Sequence, residues 1–330
     1  VKLLLIEPRK GDATSYYRSS GVLPYLRDHI TDFHITSIPG GKELSWTDAA
    51  MYNVSLLQRP VHAIDVRNIR LLKECGVRVV LDYDDDLLNI DEGNPVYAHH
   101  FKNRENIIAC LMLADVVIVS TEALMKSFKP YCSKIVVINN AHNDYLFPAT
   151  KKPSFEYTKI AYYRGGSTHQ RDVYTYAGDI VDAIKHHSDW RFYFLGDRFQ
   201  FIEMNTQKCD NLFVSGYSPV YEFLRSLPRL RPCAYMSFLE VNPFNAAKSN
   251  CGWIEATYAG AASFVSKDLP EFDSVPGMRF RAHVPSFKGM FEMHASNENF
   301  LKGVHDASWE EVKKNYLLSD VNRKRALLLK

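Results

Sequence analysis

Glycine and cysteine are sparse in this chain. Its 330 residues hold 16 glycines and six cysteines. No Gly-X-Gly-X-X-Gly follows any apolar run, so a dehydrogenase of the dinucleotide-binding type ranks low. Cys75, Cys110, Cys132, Cys209, Cys233 and Cys251 show no CxxC and no ligand-like spacing. They read as reduced core residues, not as a disulfide framework or a zinc ribbon. Charge of one sign is also missing, with 40 Lys and Arg against 38 Asp and Glu, a net +2. That balance announces neither a nucleic acid nor a membrane surface. No apolar stretch approaches the roughly 20 residues that span a bilayer. No basic-then-apolar leader opens the sequence, and a soluble, cytoplasmic protein without an integral membrane segment is the expectation.

What is present is a globular composition, 46% hydrophobic and 24% charged, at a length that suits two domains. Up to residue 150 there are 16 basic and 18 acidic residues, leaving 24 and 20 after it. The halves thus carry −2 and +4, and the second is the better home for an anionic ligand.

Short apolar runs recur at Val1 to Ile6, Asn53 to Leu57, Val77 to Leu81, Val116 to Val119 and Ile135 to Ile138. Helical spacing fills the intervals, as in Tyr16 to His29, Ala63 to Cys75, Arg104 to Leu113 and Glu122 to Pro130. Continuous hydrophobic strands alternating with helices predict a parallel sheet covered on both faces. The pattern breaks at Phe147 to Tyr157, a linker candidate, and restarts. Strands are predicted at Ile160 to Tyr163, Trp190 to Leu195, Leu212 to Ser215, Cys233 to Phe238 and Ala262 to Val265, and helices at Val173 to His187 and Tyr221 to Leu227. Residues 1–150 and 151–307 therefore read as two α/β domains. Residues 308–330, with Trp309, Val312, Tyr316 and Leu317 at helical spacing, read as a helix that packs back.

In doubly wound sheets, ligands bind beyond the carboxyl ends of the strands. After the first strand of the second half comes Arg164-Gly165-Gly166-Ser167. Its glycines let the backbone approach an oxygen-rich ligand, Ser167 donates, and Arg164 grips phosphate; a capped glycine turn is the plain alternative. Gly216 and Tyr217 follow a later strand, and Tyr217 suits a flat base or an interdomain surface equally. The loop Glu240 to Asn250 carries Asn242, Asn245, Lys248 and Ser249 and runs into a helix with Glu255. A helix start with a lysine beside it is an anion site in outline. Glu255 either accepts ribose hydroxyls or balances the helix dipole.

In the first half, Asp82, Asp84, Asp85 and Asp86 crowd the end of a strand. Such a run needs a cation, a cationic partner or protons. One reading is an Asp-X-Asp metal site, with a divalent ion at Asp84 and Asp86. The preferred one has a carboxylate meeting an acceptor or sugar hydroxyl while the others cap the next helix and pair with arginines such as Arg18 or Arg59. Arg18 and Arg59 follow strands that open into the same crevice, and His100 and Arg104 lie in a segment that contacts an acceptor or is simply solvated.

Arg164-Gly165-Gly166-Ser167 through Asp172, Phe194-Leu195-Gly196-Asp197, Gly216-Tyr217, Asn242-Pro243-Phe244-Asn245-Ala246-Ala247-Lys248-Ser249, Trp253-Ile254-Glu255-Ala256 and Ala259-Gly260 together resemble the GT-B glycosyltransferases of the retaining, glycogen-synthase-like group, including bacterial and phage sugar transferases. The resemblance covers the second half and touches the first through Tyr17-Arg18 and Asp84-Asp85-Asp86-Leu87. It implies two Rossmann-like parallel-sheet domains facing a central cleft. It implies that Arg164 and Lys248 neutralise the diphosphate of a nucleotide-sugar donor, that Glu255 holds the ribose, and that the loop near Gly216 holds the base. No obligatory metal or other cofactor is implied. A second glutamate, eight residues before Glu255 in many relatives, is replaced by Ala247, so Asn242 or Asn245 would meet the sugar.

The expected activity is sugar transfer to an acceptor hydroxyl. Retention has the leaving phosphate taking the proton; inversion makes Asp84 or Asp85 the general base. The acceptor is open among a glycan, a lipid-linked sugar, a protein and a hydroxymethylated base in phage DNA. The rival reading is a non-catalytic two-domain protein that binds a sugar or nucleotide.

Overall fold

The structure, a computed structural model, describes all residues from Val1 to Lys330. Its frame is two six-stranded sheets in which every strand pairing is parallel. The first contains β1 (Lys2–Glu7), β2 (His34–Pro39), β3 (Val54–Gln58), β4 (Arg78–Tyr83), β5 (Val116–Val119) and β6 (Ile135–Val137), in the order β2-β1-β3-β4-β5-β6. The second contains β7 (Ile160–Gly165), β8 (Arg191–Gly196), β9 (Leu212–Ser215), β10 (Ala234–Ser237), β11 (Ala262–Ser266) and β12 (Met278–Phe280), in the order β12-β11-β10-β7-β8-β9. Both are Rossmann-like doubly wound orders, and each reverses direction beside its first strand, between β1 and β3 and between β7 and β10.

The central strands form because both of their faces are covered. All four residues of β5, Val-Val-Ile-Val, are buried. Leu4, Leu81, Val117 and Val119 belong to a core on one face, while Leu3, Leu5, Val80 and Ile118 belong to a core on the other. At about 25 cal/mol per Å² of apolar surface removed from water, this two-sided burial drives the layering. The second sheet gathers its own core of aromatic rings, with Phe192, Phe194, Phe238, Phe264, Phe287 and Phe291 all but sealed from solvent.

Five elements differ from the sequence expectation. The stretch from Tyr16 to His29 is not one helix. It is a short helix, Ala13–Arg18, then a 3₁₀ segment, Leu23–Asp28. A Cβ at Gly21, between the two, would run into the backbone of Tyr16. The stretch from Val173 to His187 breaks at Tyr176 into Gln170–Thr175 and Ala177–His186. Strands β2 and β12 were not foreseen. The final segment is two helices, Glu298–Asn315 and Leu318–Leu329. Trp309 and Val312 pack with Trp253 of the second domain, whereas Leu318, Val321, Ala326 and Leu329 pack with Leu3, Leu5 and Leu23 of the first. The chain crosses between domains at Tyr316 and Leu317, where the His142 N–H donates to the Tyr316 carbonyl (2.7 Å) and the Leu318 N–H to the His142 carbonyl (2.9 Å). The linker candidate does carry the connection, since 148–159 hold no helix or strand. No helix is long and apolar enough to cross a membrane.

Candidate active site

The carboxyl ends of β1, β3 and β4 face those of β7, β8 and β10 across a cavity of about 330 Å³. The first domain contributes Tyr17, Arg59, Asp84, Asp85 and Asn140 to its lining, and the second Arg164, Gly165, Gly166, His169, Tyr217, Lys248, Ser249 and Glu255. Both switch points thus open onto one space, the place where such sheets bind ligands.

The floor is made by glycine. Gly196, at the end of β8, has φ +119°, and a Cβ there would collide with the Gly165 carbonyl. Two adjacent strands can end this close together only without side chains, which leaves the backbone bare beneath the cavity. Beyond β10, the Asn242 side chain caps the short helix Pro243–Ala246 by accepting the Asn245 N–H at 2.8 Å. The chain then turns through Lys248 and Ser249 into the helix Cys251–Tyr258. The first N–H groups of a helix have no intrahelical acceptor, and those of Cys251 and Gly252, two residues that line the cavity, have no protein partner.

Three cations line the cavity, and two of them are spent. Arg59 forms ion pairs with both Asp84 and Asp85. Arg164 donates to Glu255 Oε1 at 2.6 Å and stacks on the Phe223 ring, 4.1 Å from its centroid. Lys248 makes no ion pair, and its ammonium rests 4.9 Å from the Phe244 ring centroid. It is the one full positive charge at the cavity that is held in no ion pair, with Asp85 and Asp172 feeling it only at longer range.

Glu255 is held from both domains. Tyr17 Oη donates to the same Oε1 at 2.8 Å, while Oε2 has no protein partner. Burial, and then the Glu255 charge, push the Tyr17 phenol well up, so it stays a donor. The arginine expected at the diphosphate and the glutamate expected at the ribose are thus a pair, with one glutamate oxygen left over. Burial and the neighbouring Asp85 charge raise Asp84, against the partial relief of Arg59. Burial opposes ionisation of Asp85 as well, but Arg59, Lys248 and His169 outweigh it and hold this carboxyl below its usual range.

Several expected site residues lie elsewhere. Arg18 is not available to an acceptor: it is fully buried, gripping Asp82 bidentately (2.7 and 3.0 Å) and donating to the Ile138 carbonyl and to Asn140 Oδ1. Arg104 is turned to the Leu88 carbonyl at 2.6 Å and does not line the cavity. His100 stands behind Arg59, where burial, then His99 and Arg59, push its pKa down to about 4. Asp86 faces away, accepting the Leu88 N–H and the Asn89 amide, so an ion at Asp84 would lack it as a second ligand. Ser167, Asn242 and Asn245 line a second, smaller cavity, and Gly216 lines a side pocket with Tyr217 and Arg164. The sequence reading had paired the Asp run with Arg18 and Arg59, and Asp82, Asp84 and Asp85 are paired in that way. Ala247 is 2% exposed and packs with Phe244 in a core of the first domain. An acid at this position would have to be buried, which is costly unless a partner meets it.

His169 and Asp172, inside the Arg164 to Asp172 stretch, and Asn140 had no role of their own in the sequence reading. His169 Nδ1 and Asp172 Oδ2 lie 2.8 Å apart. Burial and Lys248 hold this imidazole below its ordinary pKa, so the neutral ring gives its Nδ1–H to Asp172. The signal was a histidine and an aspartate three apart at the start of a helix after a strand. Asn140 donates to Ser249 Oγ (2.7 Å) and Cys251 Sγ (3.0 Å), tying the first domain to the Lys248 loop; no sequence signal marked it.

No protein-family model matches the sequence, and no curated protein matches it. Solved structures do match the fold. TarM, from S. aureus, is 14% identical with a TM-score of 0.61, over 84% of this chain and 54% of that one. The chain therefore spans about half the length of TarM. HepE from Anabaena, solved in complex with UDP, is 10% identical with a TM-score of 0.67, over 100% of this chain and 99% of that one. UDP-GlcNAc 2-epimerase from Neisseria meningitidis, bound to UDP-GlcNAc, is 9% identical with a TM-score of 0.59, over 100% of each chain. At such identities the likeness concerns architecture. The protein has the two-domain GT-B fold, with two Rossmann-like domains closing on a cleft.

Proposed function

We propose that the protein transfers a sugar from a nucleoside-diphosphate sugar to an acceptor hydroxyl. The observation that carries this reading is Lys248, a cation held in no ion pair beside a helix start, at the cavity where two nucleotide-binding folds face each other. TarM has been solved with UDP and α-GlcNAc-glycerol, and HepE with UDP, which supports the same ligand class here. The epimerase shares the fold and binds UDP-GlcNAc, so the assignment to transfer rests on the site and not on the fold.

In this reading Lys248 and the N–H groups of Cys251 and Gly252 stabilise the diphosphate as the bond from the anomeric carbon to phosphate oxygen breaks. Glu255 Oε2 accepts a ribose hydroxyl, and Tyr217 covers the base. Arg164 turns from Glu255 toward the phosphates when they arrive. The acceptor enters from the first domain, where a cavity of about 210 Å³ at the exits of β1 and β3 shares Arg59 with the central one. Engagement of Asp84 and Asp85 by Arg59 leaves neither of them free as general base, which favours retention. The acceptor oxygen then bonds the anomeric carbon on the face the diphosphate leaves, and its proton passes to the departing phosphate oxygen. The positive charge comes from Lys248 and Arg164, so no obligatory metal is assigned. A cytoplasmic setting accords with six unpaired cysteines.

The test is a screen of UDP, GDP and ADP sugars for released diphosphate, together with calorimetric binding of each free diphosphate. One nucleotide is expected to bind and its sugar to be slowly hydrolysed. Binding of none would sink the proposal, and epimerised donor without diphosphate release would replace transfer by epimerisation.

A further inference from the structure

The first-domain cavity of about 210 Å³, at the exits of β1 and β3, has two unspent polar atoms in its wall. Gln58 ends β3 and is 3% exposed. Its amide oxygen takes the Ser19 hydroxyl, and its Nε2 donates to nothing. Asp65, 5% exposed, stands in the first turn of the helix Ala63–Glu74. Its Oδ2 accepts the Val61 and His62 N–H groups (2.9 and 2.8 Å), and its Oδ1 accepts from nothing. Neither atom is sealed in the interior, and both residues line the cavity. Polar groups on residues this deep are almost always satisfied, so one donor and one acceptor stand ready for whatever fills the space.

The rest of the wall narrows what that is. No Phe, Tyr or Trp lines it, so a flat base finds no ring to stack on. Its one arginine or lysine is Arg59, whose guanidinium Asp84 and Asp85 already hold. Arg9, Lys10 and Lys42, on the flanking loops, are exposed and do not line it. A phosphate here would meet the Asp65 carboxylate with no free cation on the wall. Size narrows it further, because the volume falls below the about 300–1,000 Å³ of drug-sized sites and suits one small ring. One side is open: a Cβ at Gly41, on the rim, would meet nothing within 4 Å, which leaves room for the rest of a longer molecule.

We infer that this cavity holds a neutral sugar residue of the acceptor, with one hydroxyl accepting from Gln58 Nε2 and another donating to Asp65 Oδ1. Sugar phosphates, modified bases and peptides are not its ligands. This rests on the transferase reading and adds the acceptor class to it. A hydroxyl both accepts and donates, which suits a wall that offers one of each. Arg59, shared with the central cavity, marks the side on which the reacting hydroxyl lies.

The test uses the full chain and the nucleotide sugar found by the donor screen. Diphosphate release is measured with neutral methyl glycosides, the matching sugar phosphates, an oligonucleotide bearing hydroxymethylated bases and a serine-rich peptide. A neutral glycoside is expected to raise release at least tenfold above the acceptor-free rate and above every other class. Another class that does as well, or a panel in which nothing raises release, overturns the inference. Gln58→Leu is expected to raise the KM of the best glycoside at least tenfold, with the calorimetric affinity for the free diphosphate unchanged. Asp65→Asn keeps an oxygen for the two backbone N–H groups and turns the cavity-facing acceptor into a donor. It should raise the glycoside KM and narrow the preference for glycoside over sugar phosphate at least tenfold. An unaltered glycoside KM in either folded variant removes the acceptor sugar from this cavity. Should one variant not fold, as judged by circular dichroism, the other and the wild-type panel decide. Wild-type protein that binds no nucleoside diphosphate overturns the transferase reading itself, and this inference with it. A preference for a charged acceptor overturns the inference only.

Discussion

In the proposed transfer, Lys248 differs from Arg59 and Arg164 in one respect: it is held in no ion pair. A charge already neutralised in the free protein has to be released before it can help a departing diphosphate, whereas Lys248 is ready. Lys248→Ala should lower turnover by about 10²–10³, the scale on which single preorganised donors act. The unfolding midpoint should stay within a degree or two, because the ammonium faces the cavity and not a core. Near-wild-type release of diphosphate would place the leaving group elsewhere. Asp84 tests stereochemistry. Its raised pKa would suit a base, and losing a general base costs about 10²–10⁴ in rate. If the phosphate takes the proton, Asp84→Asn should keep activity within about tenfold, and the product's anomeric configuration, read by NMR, should match the donor's. Sequence reasoning reached Lys248 and Asp84 because charged residues after buried strands are conspicuous. It failed to separate Arg18 from Arg59, since both follow strands. Only the short helix Ala13–Arg18 turns the first inward onto Asp82, and that rotation is a tertiary fact.

At the scale of elements, the helix Cys251–Tyr258 is held at both ends. Its start carries N–H groups without intrahelical acceptors, and its end turns through Gly260 at φ +88°. A Cβ at Gly260 would lie 2.5 Å from the Ser154 carbonyl of the interdomain linker. Gly260→Ala therefore combines left-handed backbone strain, about 1–2 kcal/mol, with a backbone clash. Thermal unfolding should fall by at least about 3 °C, given about 2–4 °C per kcal/mol for domains of this size. An unchanged midpoint would mean that the linker yields freely. The elements legible in the sequence were those buried on both faces, because an apolar run needs no partner to be recognised. Strand β2, His-Ile-Thr-Ser-Ile-Pro, lies at a sheet edge with none of its residues fully buried, and so left no such run. The break at Tyr176 was hidden because the apolar spacing continues through it, with Val173, Tyr176, Ala177 and Ile180 all in one core.

In the whole molecule, the two domains were legible separately but their meeting was not. Tyr17 on Glu255, Asn140 on Ser249 and Thr121 on the Ala247 carbonyl join residues more than a hundred positions apart, and no local pattern encodes them. Histidines sit at several of these junctions. His142 lies where the last helices cross between domains, its ring against Tyr258 and Trp309. His305 is buried beneath the Thr257 carbonyl, His169 lines the cleft, and His100 lies outside it, close enough to feel the Arg59 charge. Burial is the first cause lowering the pKa of each, to about 4 for His100. A histidine whose folded pKa lies below its unfolded one takes up protons more readily when unfolded. Its stabilising contribution is complete above the unfolded value of about 6.5 and is lost as pH falls toward the folded value. Glu271 opposes this: burial, and then Glu122 across the interface, lift it to about 7, so the folded state favours its proton as pH falls. His187 and His294 are lowered by burial as well, and of the carboxyls that burial raises, Asp84, Asp86, Asp179 and Glu271, only Glu271 reaches about 7, so the six imidazoles set the sign. Thermal unfolding followed from pH 7.5 to pH 5 should show a falling midpoint, and Glu271→Gln, which removes the opposing group, should steepen the fall. A midpoint that is flat or rises toward pH 5 would mean that these rings are already charged in the folded protein.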